Sequence, residues 1–248
     1  MNTNSNVYTV IYTTIVVVVV AAVLAFTATR LRPAQDANAK AETLRQMMAA
    51  AQIKPTGELY AARNAEVLGI YSDNIAEAFT VDLQGRKVGE LSTASGKIEL
   101  VDKLKPQNTA IKAGEGATLP VYRFKSGITV VPVYGAGLWG PVWGYLALQS
   151  DGRTIAGAYF DHEGETPGLG AKIKDEPWFR EQFVGKVIDL DASGNPFDIV
   201  KGGAGDDASK VDAITGATMT SKGLDQAIDV WISAYVPYLR TLTNSEEE

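Results

Sequence analysis

The stretch Trp143-Gly144-Tyr145-Leu146-Ala147-Leu148-Gln149-Ser150-Asp151-Gly152-Arg153-Thr154-Ile155-Ala156-Gly157-Ala158-Tyr159-Phe160 decides the fold class. Tyr145-Leu146-Ala147-Leu148 and residues 154–160 read as the two strands of a hairpin, with Asp151-Gly152 at the turn. Upstream, residues 79–88 alternate around Gln84-Gly85-Arg86-Lys87 and predict a second hairpin, and residues 122–133 read as strand. Residues 91–118 are polar and irregular around Gly114-Glu115-Gly116 and read as a surface excursion. Downstream, Pro177 opens a short helix over Trp178-Phe179-Arg180-Glu181-Gln182-Phe183 that ends near Gly185. Leu224, Ile228, Trp231, Ile232, Tyr235 and Leu239 then share one face of a long helix over about residues 220–239. Gly202-Gly203-Ala204-Gly205 reads as a flexible link before it. Strands and helices mix without a βαβ rhythm, so the class is α+β.

The N-terminal end is of another kind. Residues 7–29 carry no formal charge and centre on Ile15-Val16-Val17-Val18-Val19-Val20. As a helix they span roughly 34 Å at about 1.5 Å per residue, enough to cross a hydrocarbon core of about 30 Å. Tyr8 and Tyr12 at one end, and Arg30 and Arg32 past the other, suit the membrane interface. A cleavable signal peptide wants a basic start and a shorter apolar run, and the first six residues hold no Lys or Arg. The expected division is therefore a short tail over 1–6, a transmembrane helix over 7–29 and a mixed α+β domain over 30–248. After Pro33, residues 34–52 predict an amphipathic helix with Leu44, Met47, Met48 and Ala51 at helical spacing. The positive-inside rule, applied to Arg30, Arg32 and Lys40, would keep the domain cytoplasmic, although long domains translocate regardless of local charge.

Composition narrows the chemistry. The chain has 248 residues and a formal net charge of -6, and it shows no basic stripe, which argues against nucleic acid as a partner. It has no cysteine, which removes disulfides, cysteine-ligated iron–sulfur clusters and thiol nucleophiles. One histidine, His162, leaves no room for bis-histidine haem or a His-rich zinc site, and no metal site is expected. Redox chemistry, if present, must rest on an organic cofactor.

The sharpest local feature is Asp212-Ala213-Ile214-Thr215-Gly216-Ala217-Thr218-Met219-Thr220-Ser221, at the start of the last helix. It sets small residues and four hydroxyls where free backbone N–H groups and the helix dipole favour an anion. Gly216 and Ala217 permit close approach, and Thr218 is placed to hold a phosphate. Ser, Thr and Asp before a helix are also the ordinary chemistry of an N-cap. On the residues alone both readings stand.

Asp-x-x-Thr-Gly-Ala-Thr, here Asp212 through Thr218, resembles the flavinylation motif of FMN-binding domains in two related bacterial ion-pumping complexes, the sodium-pumping NADH:quinone oxidoreductase and its Rnf relative. Thr215 stands where many members carry Ser, a conservative change. His162-Glu163-Gly164-Glu165-Thr166-Pro167-Gly168-Leu169-Gly170 is similar to the family's second signature, a loop lying against the flavin. Gly137-Leu138-Trp139-Gly140 followed by Trp143-Gly144-Tyr145 is similar to a third. Read as residues, Glu165 through Gly170 form a rigid turn with one apolar tip, which is also an ordinary Pro-Gly turn. Leu138, Trp139 and Trp143 could wall a ring or simply pack a core. His162, just after a strand, could donate to a flavin or serve a structural role, and the structural role is preferred. Lys172 and Lys222 can place positive charge near a phosphate or a reduced flavin, or be merely solvated.

The resemblance implies one FMN per chain, covalently joined through its phosphate to Thr218. Thr215, Gly216, Ala217, Asp212, Thr220, Ser221, Glu165, Thr166, Leu169, Leu138, Trp139 and Lys222 would surround it, and no residue would be catalytic. A threonine hydroxyl is a weak nucleophile with no adjacent base here, so a separate magnesium-dependent flavin transferase would join it to the FMN half of FAD and release AMP. The resemblance also implies membrane lipid and the other membrane and NADH-oxidising subunits as partners. It places the domain on the periplasmic side of a bacterial inner membrane, against the charge reading above. No Gly-x-Gly-x-x-Gly fingerprint is present, so NADH would be oxidised elsewhere. The chain's length and its polar insertion near 91–118 favour the sodium-pumping complex, where it would relay electrons toward quinone, over an Rnf-type ferredoxin:NAD oxidoreductase. A membrane-anchored module binding a ligand without a covalent link is the remaining alternative.

Overall fold

The computed structural model describes residues 6–101 and 103–246 of the chain. All but the last residue of the expected 1–6 tail lies outside the described residues. The chain divides into two compact units, Met1–Ala41 and Glu42–Glu248. Among the described residues the first unit is helical throughout and belongs to α1 (Asn6–Ala50). It holds a segment long and apolar enough to cross a membrane by length and composition. Its large apolar side chains from Val7 to Phe26 are exposed, as suits a lipid rather than an aqueous surrounding. The helices expected over 7–29 and 34–52 are one continuous helix. Pro33 sits inside α1, where its ring nitrogen withholds one helical hydrogen bond from the Thr29 carbonyl without ending the helix.

The second unit is built on a six-stranded antiparallel sheet. The last turns of α1 lead to α2 (Thr56–Ala61), α3 (Asn64–Asn74), β1 (Ile75–Val81) and β2 (Lys87–Leu91). Then come α4 (Leu104–Ala113), β3 (Leu119–Phe124), β4 (Thr129–Ala136), β5 (Pro141–Leu148) and β6 (Ile155–His162). The chain continues through α5 (Lys172–Asp175), α6 (Pro177–Glu181), β7 (Asp198–Val200), β8 (Lys210–Asp212) and α7 (Thr218–Glu246). Strand order is β2-β1-β3-β4-β5-β6, with β7 and β8 paired in parallel as a separate two-stranded sheet.

The hairpin that sets the class is β5–β6, with Tyr145 opposite Tyr159 and a turn through Gly152 at φ 69°. The hairpin expected over 79–88 is β1–β2, and residues 122–133 divide into β3 and β4 around Gly127 at φ 85°. The surface excursion expected over 91–118 is corrected by α4. Leu104 and Ile98 are buried there, and the Asn108 amide oxygen accepts a 3.1 Å hydrogen bond from the Trp231 indole. The glycine link is followed by β8 before the last helix begins.

Each sheet face is covered. On one side Leu224, Ile228, Trp231, Ile232 and Tyr235 of α7 pack with Val131, Val133, Val142, Leu146 and Phe160. On the other, Gln46 and Gln52, from the end of α1 and just beyond it, bond to Asp161 and Ala156, while Tyr71 of α3 meets Phe124 edge-on.

The contact that fixes α7 along the sheet is made by glycines. A Cβ on Gly223 would collide with the Ala136 carbonyl, and one on Gly135 would lie 2.7 Å from the Ala227 Cβ. The helix backbone therefore sits directly on the end of β4. Gly223→Ala must push α7 off the strand and is expected to lower stability by about 1–3 kcal/mol, the usual scale of overpacking. Gly57→Ala, where a Cβ meets nothing within 4 Å, is the helical control and should not destabilise. Thermal and chemical denaturation of the two variants measures the difference.

Candidate functional site

Three loops meet at the N-terminus of α7: residues 137–140 between β4 and β5, residues 163–171 after β6, and residues 213–217 before the helix. Each is held by its own local chemistry. In the first, Gly137 donates its N–H to the Gly140 carbonyl at 2.7 Å, closing a tight loop that leaves Leu138 and Trp139 exposed. In the second, Pro167 and Gly168 occupy a turn closed by Leu169 N–H to the Thr166 carbonyl at 3.1 Å, with Gly168 at φ 75°. Leu169 is its half-exposed tip. In the third, Gly216 has φ 84° and the Ala217 N–H bonds back to the Ile214 carbonyl at 3.0 Å.

Glu165 joins them. Its side chain is buried, with the residue 4% exposed. Oε1 accepts the Trp139 backbone N–H at 2.9 Å and Oε2 accepts the Thr220 hydroxyl at 2.5 Å. The carboxylate fills the space beside Gly137 and Gly170, where a Cβ would collide with it. The third contact is apolar: a Cβ on Gly216 would sit 3.2 Å from Leu169 Cδ2.

The start of the second loop is fixed from the sheet. Asp161, buried at the end of β6, accepts from the His162 N–H at 2.8 Å, the Gln46 amide at 2.8 Å and the Lys174 ammonium at 2.9 Å. Burial is the largest influence on Lys174 and opposes its charge, but the bond to Asp161 and the attraction of Asp161, Tyr159 and Glu42 together outweigh it and raise the ammonium pKa. His162 Nδ1 accepts the Glu165 N–H at 3.1 Å, a structural use of the ring.

The expected site residues divide by exposure. Thr215, Gly216 and Thr218 are exposed beside one another, and Thr218 is the first residue of α7, where the helix offers N–H groups without intrahelical acceptors. Lys222 is exposed four residues on, on the same side of the helix. Leu138, Trp139, Thr166 and Leu169 are exposed on the two neighbouring loops, and Met219 is exposed between Thr218 and Thr220. Position alone gives no signal for Met219; its exposure does.

The others are turned inward. Thr220 and Ser221 are each 1% exposed; the Ser221 hydroxyl accepts the Ile214 N–H at 3.1 Å. Asp212 is half-buried and accepts the Ala204 N–H at 3.0 Å, holding the glycine link. Ala217 is buried. Trp143 does not join Leu138 and Trp139. It points to the opposite sheet face from Val142, and its indole donates to Gln46 at 3.2 Å.

This geometry fits an FMN phosphate. Two exposed threonines sit at a helix N-terminus, and the carboxylates of Glu165 and Asp212 are each bonded to the protein. Exposed apolar side chains lie on the neighbouring loops, where a flat ring can rest.

Residues 137–233, which contain all three loops, match the FMN-binding domain family. The chain is 34% identical to the NqrC subunit of the Na(+)-translocating NADH-quinone reductase from Neisseria meningitidis serogroup B over 167 residues, covering 66% of this chain and 64% of that one. It is 31% identical to the subunit of the same name from Vibrio campbellii over 207 residues, covering 66% of this chain and 78% of the relative. The chain thus spans just under two thirds of the Neisseria relative's length. Among solved structures it resembles the Parabacteroides distasonis subunit of that name with a TM-score of 0.67 and 33% identity, covering 84% of this chain and 96% of that one.

Two consequences are measurable without any ligand. Ser221→Ala leaves the buried Ile214 N–H without its acceptor and should cost about 1–3 kcal/mol in chemical denaturation. Asp225, one turn further along α7, accepts the Ile199 N–H at 2.6 Å, and burial raises its carboxyl pKa above the ordinary value. A raised acid favours the folded state when protonated, and that contribution is lost as pH rises from the unfolded through the folded pKa. Asp225→Asn should therefore match the parent in acid and melt higher than it near neutrality; melting curves from pH 3 to 8 test the sign.

Proposed function

Because this chain belongs to the NqrC family of Na(+)-translocating NADH-quinone reductase subunits, we propose that it is the flavin-carrying subunit of such a complex, with FMN esterified through its phosphate to Thr218. The observation that carries the assignment is the exposed Thr218 at the first position of α7, the helix to which Glu165 ties the loops 137–140 and 163–171. Bound there, the flavin supplies the electron-carrying chemistry that a chain without cysteine and with one histidine lacks.

The residues divide the remaining work. Thr218 is an acceptor, not a catalyst, because no described base lies against its hydroxyl. The first-turn N–H groups of α7 and the Lys222 ammonium oppose the phosphate charge. Thr166, Gly216 and Thr215 border the phosphate end, and Leu138, Trp139 and Leu169 border the ring and keep water from it. Asp212, Ala217, Thr220, Ser221 and Glu165 hold the frame. Thr218 and the FMN half of FAD would be joined by a flavin transferase, with AMP leaving as the phosphoester forms.

A fixed attachment suits a relay, since the carrier cannot dissociate between turnovers. The protein passes electrons within the complex toward quinone and is not an enzyme alone. It is a single-pass protein of the bacterial inner membrane through the apolar part of α1, with residues 30–248 on the periplasmic side, and its partners are membrane lipid and the membrane and NADH-oxidising subunits. The relatives' names support the sodium-translocating complex over the Rnf type.

The test is intact mass of the membrane-extracted chain after co-expression with a flavin transferase. The parent should carry one FMN adduct, Thr218→Ala none, and Thr218→Ser a measurable fraction. An adduct on the Thr218→Ala chain would refute the assignment. Thr215→Ala should slow labelling while leaving the acceptor in place.

A further inference from the structure

Resting on the attachment reading above, we infer that Glu165 is the positioning residue of the acceptor site: it locks the loops 137–140 and 163–171 to α7, so that Thr218 is presented before any flavin arrives. Glu165 is a side chain with few alternatives. It is 4% exposed, and its two oxygens are bonded to two different elements, the Trp139 N–H at 2.9 Å and the Thr220 hydroxyl at 2.5 Å. Its own N–H is bonded to His162 Nδ1 at 3.1 Å, which fixes where the side chain starts.

Both partners of the carboxylate are protein groups, so the clamp is built from the chain's own atoms. Two glycines of separate signatures leave room for it. At Gly137 a Cβ would strike Glu165 Oε1, and at Gly170 a Cβ would strike Oε2 and lie 2.5 Å from the Thr220 hydroxyl oxygen. Both positions admit the carboxylate and nothing larger. Thr220 is two residues from Thr218 on the same first helical turn, so a clamp on one fixes the other.

The clamp acts through shape and hydrogen bonds rather than charge. A glutamine is isosteric: its carbonyl oxygen can accept from Trp139 while its amide donates to the Thr220 oxygen, whose hydroxyl turns away. Glu165→Gln therefore keeps the clamp and Glu165→Ala removes it. Thr220→Val keeps the shape and deletes one bond.

The experiment uses the full chain. With a flavin transferase and FAD, the initial rate of FMN labelling at Thr218 should fall about tenfold or more in Glu165→Ala, the scale of losing a buried hydrogen bond. It should fall in Thr220→Val and recover to near the parent in Glu165→Gln. In the unlabelled Thr218→Ala background, hydrogen–deuterium exchange of peptides covering residues 137–140 should speed up for Glu165→Ala and not for Glu165→Gln. Parent-like labelling of Glu165→Ala overturns the inference and leaves the attachment reading standing. So does Glu165→Gln behaving as Glu165→Ala, because the need would then be for charge. If Glu165→Ala does not fold, parent-like labelling of Thr220→Val overturns it equally. A parent chain that takes no flavin refutes the attachment reading, and unchanged exchange at 137–140 in Glu165→Ala refutes the clamp.

Discussion

A carboxylate withdrawn from water must find hydrogen-bond donors or make the fold less stable. At Glu165 the donors come from two elements far apart in sequence, the Trp139 N–H and the Thr220 hydroxyl. Neither is a cation, so the bonds must be short and well aimed to offset desolvation. Glycine at 137 and 170 leaves room for the carboxylate, since a Cβ at either position would strike it, and at 137 would also crowd Val142. Leu169 of the same loop lies beside Gly216.

The sheet makes this convergence possible. Glycines at 135 and 223 bring α7 and β4 to backbone contact, which sets the helix N-terminus at the end of the strand that feeds the 137–140 loop. Asp225 and Ser221 pin the following turn to Ile199 and Ile214. The β5–β6 hairpin delivers the 163–171 loop to the same end, with Asp161 anchoring its base. The proposed acceptor is thus fixed by packing on the sheet side and by the Glu165 bonds on the loop side.

Much of this is legible in the sequence where one pattern dominates. The β5–β6 hairpin is clear because alternation and an Asp-Gly turn agree, and α7 because its apolar residues recur at helical spacing. The site loops are recognisable from three ordered strings. What escapes reading depends on contacts between segments. Helix α4 hides in polar residues because only Leu104 of the helix is buried, and its tie to Trp231 crosses the fold. Strands β7 and β8, each of three residues, carry too little periodicity to show. The helices read over 7–29 and 34–52 run together in α1 through Pro33. Trp143 stands near Trp139 in sequence, whereas strand alternation sends it to Gln46 on the other face. Asp212, Thr220 and Ser221 look like ligand groups because composition cannot tell an exposed hydroxyl from one spent on its own protein.

Exposure separates the hydroxyls of the string 212–221: Thr215 and Thr218 face solvent, and Thr220 and Ser221 do not. Thr218 alone of the exposed pair lies within α7, where the helix dipole acts. The most direct measurement is a fragmentation mass spectrum of the flavin-bearing peptide from the membrane-extracted chain. The account predicts the FMN mass on Thr218, with Thr215, Thr220 and Ser221 unmodified. Flavin on Thr215, on either buried hydroxyl, or outside this peptide would contradict it.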